Sequence, residues 1–398
     1  MTNSNVRTLG VSLLAAALSC GCATLSDSPL TSWMTSIPAP SFAWLTGNSR
    51  KPGPLPPLTN TVSPRINWQQ NVGAAGAGFA PAVTTSAIYA AARDGTITRL
   101  DIATGRPLWR ISAGRSLSAG PGAGDSLVVV GSDKGDVLAF DNDGKPLWSA
   151  RISSEVIAPP RVVDKVVVVF SGDGRIYGLD ASDGKTVWAD QRTIPPLTVR
   201  NAAGGVVWRG GLLTGTAGGR LLAMDAQTGK VAWDGTVATP KGATELERIS
   251  DVTSLPYVDE QQACAAAYQG RVACFDIVRG TLQWSRDVSS LAGITADAQR
   301  LYVVDDKGAV QAFDRSNGAS IWKQDALAKR RIGGPQLVGD AVGVVDVEGY
   351  LHLLSRSDGA YVGRLATDGS LATTQPVQVG GGIVWQSEKG TVYSVSAP

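Results

Sequence analysis

The stretch DGTITRLDIATGRPLW, residues 94–109, decides the fold, because the same pattern returns through the rest of the chain. Five clear copies and two weaker ones follow it, at residues 134–148, 173–188, 218–233, 269–284, 307–322, 348–363 and 389–398. The first glycine of successive copies recurs after 40, 39, 45, 51, 38, 41 and 41 residues. A period near 40 residues in strand-forming sequence is typical of the blades of a β-propeller.

Each copy carries the local signals of antiparallel strands. A β-branched run such as SLVVVGS precedes the first glycine and an alternating run such as VLAFD follows it, which predicts two strands joined by a tight turn. An aspartate and a later glycine form a second turn, in which Asp accepts backbone N–H groups and Gly supplies positive φ. The outermost strand carries a tryptophan, which we predict to wedge between neighbouring blades as a structural residue. These are Trp109, Trp148, Trp188, Trp233, Trp284 and Trp322.

The two ends of the repeat region predict a closed ring. The eighth copy reaches Pro398 before it supplies an outermost strand, whereas Arg65-Ile66-Asn67-Trp68 resembles an outermost strand without a blade of its own. Pairing the two would leave no open sheet edge. We therefore predict an all-β, quinoprotein-like eight-bladed β-propeller over residues 63–398, with four antiparallel strands per blade and the ring closed by the N-terminal strand.

Composition excludes several classes of function. Lys and Arg total 36 and Asp and Glu 34 in 398 residues, a net charge of +2, which argues against binding nucleic acid through bulk charge. His352 is the only histidine, so a His-rich metal site is excluded and a Ser-His-Asp or Cys-His catalytic unit is disfavoured. No apolar run reaches the roughly 18–20 residues of a membrane-spanning helix.

The N-terminus has the features of an export signal. Arg7 precedes an apolar run from Leu9 to Leu18, which leads into Ser19-Cys20-Gly21-Cys22, as in a bacterial lipoprotein signal. We assign residues 1–22 to the signal peptide and lipidation site, favouring Cys20 with Cys22 as the alternative; ordinary secretion is the competing interpretation. Residues 23–62, rich in Pro, Ser and Thr, are predicted to be a flexible tether. The predicted location is the outer membrane, with the protein lipid-anchored and facing the periplasm.

The repeat D-x-x-(T/D/N)-G-x-x-x-W resembles the PQQ-type propeller repeat of quinoproteins. Two groups share it, the PQQ-dependent alcohol dehydrogenases and the BamB family, lipoprotein subunits of the β-barrel assembly (BAM) machine. The dehydrogenases hold calcium and quinone with acidic and amide ligands and carry two adjacent cysteines. Here Cys264 and Cys274 are ten residues apart, and no GxGxxG, GxSxG, HExxH or CxxC motif occurs. We therefore expect no enzyme activity and no cofactor.

Two segments outside the repeat carry the resemblance to the BamB family. PPLTVRN (195–201) and ATELERISDV (243–252) fall in the two longest repeat intervals and are similar to family loops that bind the POTRA domains of the barrel-folding subunit BamA. The resemblance implies that the chain is a scaffold subunit of the BAM complex. Its contact residues would be Leu197, Val199, Arg200 and Asp251. Where the family can carry a second acid, this chain has Thr253, which puts that single contact in doubt.

The alternatives are a periplasmic propeller that binds another protein, or one that binds a small ligand in its central channel. Leu197 and Val199 could instead belong to a buried strand edge. Unfolded outer-membrane proteins are a further candidate partner. The basic run Lys329-Arg330-Arg331 is interpreted as a solvated loop, or alternatively as a site for an acidic patch of a partner.

Cys264 and Cys274 flank a predicted turn at Gln269-Gly270. A hairpin loop with an odd number of residues would place them directly opposite, about 4.5–5.5 Å apart at Cα, within the range that a disulfide tolerates. A two-residue turn would place them on opposite faces and leave two buried thiols. Because disulfides persist in the periplasm, we favour the bridge.

Overall fold

The computed structural model describes residues 52–58, 62–199 and 204–398. These ranges form 32 β-strands joined by turns and loops. Within them there is no helix of the length and apolarity needed to cross a membrane. The strands form eight separate four-stranded antiparallel sheets, which confirms the predicted eight-bladed propeller.

The blades follow one another along the chain. Blade one contains β2 (Ala82–Val83), β3 (Ala87–Ala91), β4 (Thr96–Asp101) and β5 (Pro107–Ser112). Blade two contains β6 (Gly122–Ala123), β7 (Leu127–Gly131), β8 (Asp136–Asp141) and β9 (Pro146–Arg151). Blade three contains β10 (Arg161–Val163), β11 (Val166–Phe170), β12 (Arg175–Asp180) and β13 (Thr186–Gln191). Blade four contains β14 (Gly205–Trp208), β15 (Gly211–Thr216), β16 (Arg220–Asp225) and β17 (Val231–Thr236).

The second half of the ring repeats this order. Blade five contains β18 (Tyr257–Val258), β19 (Gln262–Ala266), β20 (Val272–Asp276) and β21 (Leu282–Arg286). Blade six contains β22 (Gly293–Ala296), β23 (Arg300–Val304), β24 (Val310–Asp314) and β25 (Ser320–Gln324). Blade seven contains β26 (Gln336–Val338), β27 (Ala341–Val345), β28 (Tyr350–Ser355) and β29 (Tyr361–Ala366). Blade eight contains β30 (Val377–Val379), β31 (Gly382–Gln386), β32 (Thr391–Ser396) and, from the other end of the chain, β1 (Arg65–Asn71).

The N-terminal strand closes the ring as predicted. β1 is the outermost strand of blade eight and pairs antiparallel with β32, from Arg65 opposite Ser396 to Asn71 opposite Thr391. The two ends of the repeat region are therefore joined through backbone hydrogen bonds, and blade eight is as complete as the others.

The second strand of a blade is the most deeply buried element. In β3, β7 and β11 every residue is buried, because neighbouring blades cover both faces of the sheet. This explains why these strands are continuous apolar runs, whereas a strand with one wet face would alternate. The outermost strands β5, β9 and β13 instead alternate between exposed and half-buried residues.

The repeated tryptophans lock each blade to the next. The indole Nε1–H of Trp109 donates to Asn142 O at 2.8 Å, and that of Trp148 donates to Ala181 O at 2.8 Å. The turn glycine of the following blade lies under the ring: a Cβ on Gly184, where φ is +74°, would come within 2.5 Å of Trp148. The same bond to the next blade is made by Trp188, Trp233, Trp284 and Trp322. Trp68 of β1 also makes it, to Ile102 O at 3.1 Å, a role that the repeat pattern did not assign.

Blade seven has no such tryptophan, because Gly363 occupies the position. A Cβ on Gly363 would lie 2.7 Å from Val62 O and 3.2 Å from Pro64 Cδ. Val62 N also donates to Val362 O at 2.9 Å. The chain just before β1 therefore fills the space that an indole fills between other blades.

Residues 52–58 were assigned from the sequence to the tether, yet they contact blades six and seven. Pro56 is buried, and Leu58 packs against the apolar cluster that contains Trp322 and Leu327. Residues 52–58 of the predicted tether are thus held against the propeller.

Candidate partner-binding site

Two long loops connect the outermost strand of one blade to the innermost strand of the next. One follows β13, and its residues 192–199 and 204 are described; the other occupies residues 237–256 between β17 and β18. They correspond to the two segments that the sequence singled out. The structure brings them together on one face of blades three and four.

Asp251 joins the two loops. Its carboxylate accepts the Val199 N–H at 2.6 Å and the Gly218 N–H at 2.8 Å, and its own carbonyl accepts the Tyr268 N–H at 2.8 Å. Only 2 % of Asp251 is exposed. Both carboxylate oxygens are thus engaged within the protein, and the side chain organises the loops from below their surface.

Several apolar side chains of the two loops that Asp251 connects are exposed to solvent. Leu197 is 42 % exposed and belongs to no strand, so it does not form the buried strand edge considered as the alternative. Val199 is half-buried, and Arg200 lies outside the described residues. Ile194 and Leu246 are also exposed, Leu246 by 66 %. Neither residue was predicted from the sequence to bind a partner, although Leu246 stands out as the apolar residue between two acids in ATELER.

A compact turn presents Leu246. The Glu247 carboxylate accepts the N–H groups of Ala243 and Thr244 at 2.8 and 3.0 Å. These hydrogen bonds, that from Thr244 first, hold the pKa of the exposed Glu247 carboxyl below its ordinary value. A charged Glu247 therefore accepts both N–H groups at neutral pH, and the neighbouring Leu246 is exposed to solvent.

A cavity of about 410 Å³ lies beneath the first loop, between blades three and four. Its wall is apolar where Ile157, Phe170, Ile176, Leu222 and Val252 line it. Charged groups surround the opening, including Arg192, paired with Asp190 at 2.5 Å, and Arg220, paired with Asp234 at 2.7 Å. The surface thus combines exposed aliphatic side chains, an apolar recess and a charged rim, a combination typical of protein-binding sites.

The other residues selected from the sequence lie elsewhere. Cys20 and Cys22 are outside the described residues. Cys264 lies directly opposite Cys274 in the β19–β20 hairpin, and the two sulfurs are bonded. The loop between these strands has five residues, 267–271. Its left-handed residue is Gln269, with φ of 47°, and not the repeat glycine Gly270.

The interpretation of Lys329-Arg330-Arg331 as a solvated loop was wrong for its middle residue. Arg330 is only 2 % exposed, and its Nε donates to Asp346 Oδ2 at 2.6 Å. The local sequence around Arg330 did not indicate this ion pair, because Asp346 lies in a different turn, between β27 and β28 of blade seven. Arg330 is therefore a structural residue and not part of a partner surface.

The central channel does not resemble a quinone site. Its cavity of about 800 Å³ is lined by residues from the innermost part of all eight blades. Among the described residues that line it, none is an Asp or Glu, whereas calcium prefers carboxylate oxygens. The described ranges also contain no group of three or more His, Cys, Asp or Glu side chains placed to share a metal ion. The residues present therefore do not fit a calcium-bound quinone.

Comparisons with known proteins agree with this description. The family model for the outer membrane protein assembly factor BamB matches residues 93–324. The BamB of Bordetella pertussis is 42 % identical over 349 residues, which cover 87 % of this chain and 90 % of that protein. The crystal structure of BamB from Moraxella catarrhalis superimposes with a TM-score of 0.75 at 27 % identity, covering 82 % of this chain and 99 % of that one.

A quinohemoprotein alcohol dehydrogenase from Comamonas testosteroni shares the fold as well, with a TM-score of 0.65 at 14 % identity, covering 83 % of this chain and 76 % of that one. At that identity the likeness concerns the fold alone. The family model and the relative from Bordetella, in contrast, match at the level of sequence over most of the repeat region. The chain belongs to the BamB family of outer membrane protein assembly factors.

Proposed function

We propose that this chain is a non-enzymatic scaffold subunit of the outer-membrane β-barrel assembly complex, which binds the POTRA domains of a BamA-type subunit. The observation that carries the proposal is the joint made by Asp251. It holds the two family-like loops against each other and leaves Leu197 exposed beside an apolar recess. In this arrangement Leu197 and Arg200 contact the partner, Val199 supports them, and Asp251 positions the loop.

The location follows from the same proposal. A lipid on Cys20, or on Cys22, anchors the chain in the outer membrane, and the propeller faces the periplasm. A BamA-type partner is fixed in the same membrane, so two anchored proteins meet at a high effective concentration. A moderate interface is then sufficient for stable association.

The experiment is a binding measurement with purified BamA periplasmic region and the variants Leu197→Ala, Arg200→Ala and the double variant. Loss of a central anchor costs about 2 kcal/mol or more, roughly a 30-fold loss of affinity. Leu147→Ala is the matched control, because Leu147 is also an exposed leucine, 52 % exposed, on the outermost strand of blade two. Circular dichroism should be unchanged in all four proteins.

Asp251→Asn tests the positioning role separately. An amide can accept only through its oxygen, so one of the two N–H bonds to the carboxylate is lost. We expect weaker binding together with faster amide exchange at Val199 and Gly218.

Wild-type affinity in the Leu197→Ala/Arg200→Ala double variant would reject this interface.

A further inference from the structure

Residues 52–58, here called the strap, are held by specific contacts to blade seven. The Arg364 guanidinium Nη2 donates to Pro56 O at 2.7 Å, and Arg330 Nη1 donates to Gly53 O. Leu58 adds apolar contact with the cluster around Trp322. Both polar contacts use backbone carbonyls, so they depend on where the strap runs rather than on its side chains.

A buried charge network supports these two arginines. Arg330 donates through Nε to Asp346 Oδ2 at 2.6 Å and through Nη2 to Glu348. His352, fully buried, lies 2.8 Å from the same Asp346 oxygen through Nε2, and Arg364 Nε donates to its Nδ1 at 3.3 Å. Asp346 and Glu348 accept from Nε and Nη2 of the Arg330 guanidinium, and Gly53 O accepts from the remaining nitrogen, Nη1. Because an unpaired buried donor is unfavourable, Arg330 favours the position of the strap in which Gly53 O accepts from its Nη1.

The order of strands fixes which faces the strap connects. In an antiparallel blade the turn between the second and third strands lies at the same end as the loop leading to the next blade. Asp346 belongs to such a turn and Arg330 to such a loop, as do Gly218 and Asp251 in the candidate partner site. Gly53 therefore lies on the face of the propeller that carries the partner loops.

The chain that follows the strap is on the opposite face by Val62. Val62 N bonds to Val362 O at the beginning of β29, and Arg65 pairs with Ser396 at the end of β32. Each position lies at the end of its blade that is opposite to the end carrying Asp346 in blade seven. Gly53 and Val62 thus lie at opposite faces of the propeller, and Pro56 O, which accepts from Arg364 within β29, lies between them along the chain.

We propose that the strap is a built-in latch that determines the face from which the N-terminal tether leaves the propeller. When the strap is latched, the tether leaves at Pro52, on the face of the partner loops. Without the latch it would leave near Val62, on the opposite face. The latch thus makes the tether begin on the same face of the propeller as the partner loops. The inference goes beyond the proposed function, since it does not depend on which protein the loops bind.

An engineered disulfide tests the latched position in the full-length lipoprotein. A Cβ on Gly53 would lie 3.2 Å from Lys329 Cβ, close to the spacing of about 3.5–4.5 Å found in disulfides. We expect Gly53→Cys/Lys329→Cys to form the bond without added oxidant, as mapped by mass spectrometry. The control is Gly53→Cys/Asp358→Cys, because Asp358 lies in the turn between β28 and β29, on the opposite face. Bonding in the control, or in neither protein, would overturn the proposal.

Hydrogen exchange tests the latch without new cysteines. Arg364→Ala should speed amide exchange in the peptide covering residues 53–58 by roughly tenfold or more, as expected when a locally ordered segment opens. Arg356→Ala, which removes an arginine of the same blade that bonds to Gly339 O and not to the strap, should leave that peptide unchanged. A second variant replaces residues 53–58 by a Gly/Ser segment of equal length and leaves blade seven intact. Wild-type exchange over residues 53–58 in Arg364→Ala, or a Gly/Ser segment as protected as the native strap, would contradict the latch; Val62, which bonds to Val362 O of β29 in either case, should be unaffected.

Discussion

At the scale of single residues, His352 is a buried titratable group held between an arginine and a carboxylate. Its Nδ1 accepts from Arg364 Nε and its Nε2 lies beside the Asp346 carboxylate, which assigns the ring proton to Nε2 of a neutral imidazole. Burial lowers the pKa of His352 below its ordinary value, assisted by the charges of Arg364 and Arg330 and opposed by Asp346. Tyr350 and Tyr361 cover the ring with aromatic contacts. Protonation at Nδ1 would oppose the Arg364 donor directly.

His352 therefore predicts how stability depends on pH. Because its pKa is lower in the folded than in the unfolded state, the unfolded chain binds a proton more readily. The free energy of unfolding should then fall as pH drops below about 6.5. As the only histidine, it should dominate the change between about pH 7 and 5.5. Urea unfolding of wild type and His352→Gln measures this: the variant should show a clearly flatter dependence. Equal slopes would mean that His352 is not the titrating group.

At the scale of elements, the β19–β20 hairpin shows how loop length sets register. Its five-residue loop places Cys264 opposite Cys274, and both side chains are fully buried on one face of blade five. A change of one residue in the loop would have turned one of the two cysteines to the other face. The sequence left this choice open, because the position of the repeat glycine alone did not determine where the turn begins.

The hairpin predicts the oxidation state of two cysteines. In denatured, unreduced protein, alkylation mapped by mass spectrometry should find neither Cys264 nor Cys274 reactive. The free energy of unfolding of the double variant Cys264→Ala/Cys274→Ala should be lower by about 2–3 kcal/mol. The loss is modest because the disulfide closes a short loop. Reduced and alkylated wild-type protein serves as the positive control for labelling. Two labelled cysteines in the unreduced sample would refute the bridge.

At the scale of the whole molecule, stability depends on closing a ring from the two ends of the chain. β1 supplies the outermost strand of blade eight, Trp68 supplies its bond to blade one, and Val62 and Pro64 fill the gap at Gly363. One strand pairing within blade eight and two contacts between blades thus depend on about ten residues of one segment.

Deletion of residues 63–72 should therefore do more damage than the loss of one strand. It exposes the edge of β32 and removes the buried Trp68, so we expect aggregation or a large drop in Tm. Deletion of residues 23–51 is the control and should leave the Tm of the propeller unchanged. A protein that lacks residues 63–72 and still melts at the wild-type temperature would disprove the closure argument.

The proposed anchor predicts that location and folding are separable. The double variant Cys20→Ala/Cys22→Ala should give a wild-type circular dichroism spectrum and Tm, yet leave the outer-membrane fraction. The single variants identify the acceptor by mass spectrometry. If Cys22→Ala alone abolishes lipidation, the preference for Cys20 is wrong. An unlipidated double variant that stays in the outer membrane would contradict the anchor itself.

The sequence by itself determined the number of blades, their turns and the closing strand. These features repeat at a period near 40 residues and depend on local chemistry, such as the Asp and Gly of each turn and the alternation within each strand. It also identified the two loops of the candidate site, because their lengths broke the period. Six tryptophans could be assigned as blade wedges for the same reason, since each stands eight residues after its repeat Asp, or seven in the second copy.

Only the tertiary structure decided what happens between distant segments. Asp251 and Arg330 looked like surface charges, but their partners, Val199 and Gly218 for one and Asp346 and Gly53 for the other, are supplied by other loops. Gly363 broke the tryptophan pattern, and the residues that compensate, Val62 and Pro64, lie about 300 positions earlier in the chain. Burial of a charge depends on all the elements packed around it, and a one-dimensional pattern contains no information on which elements those are.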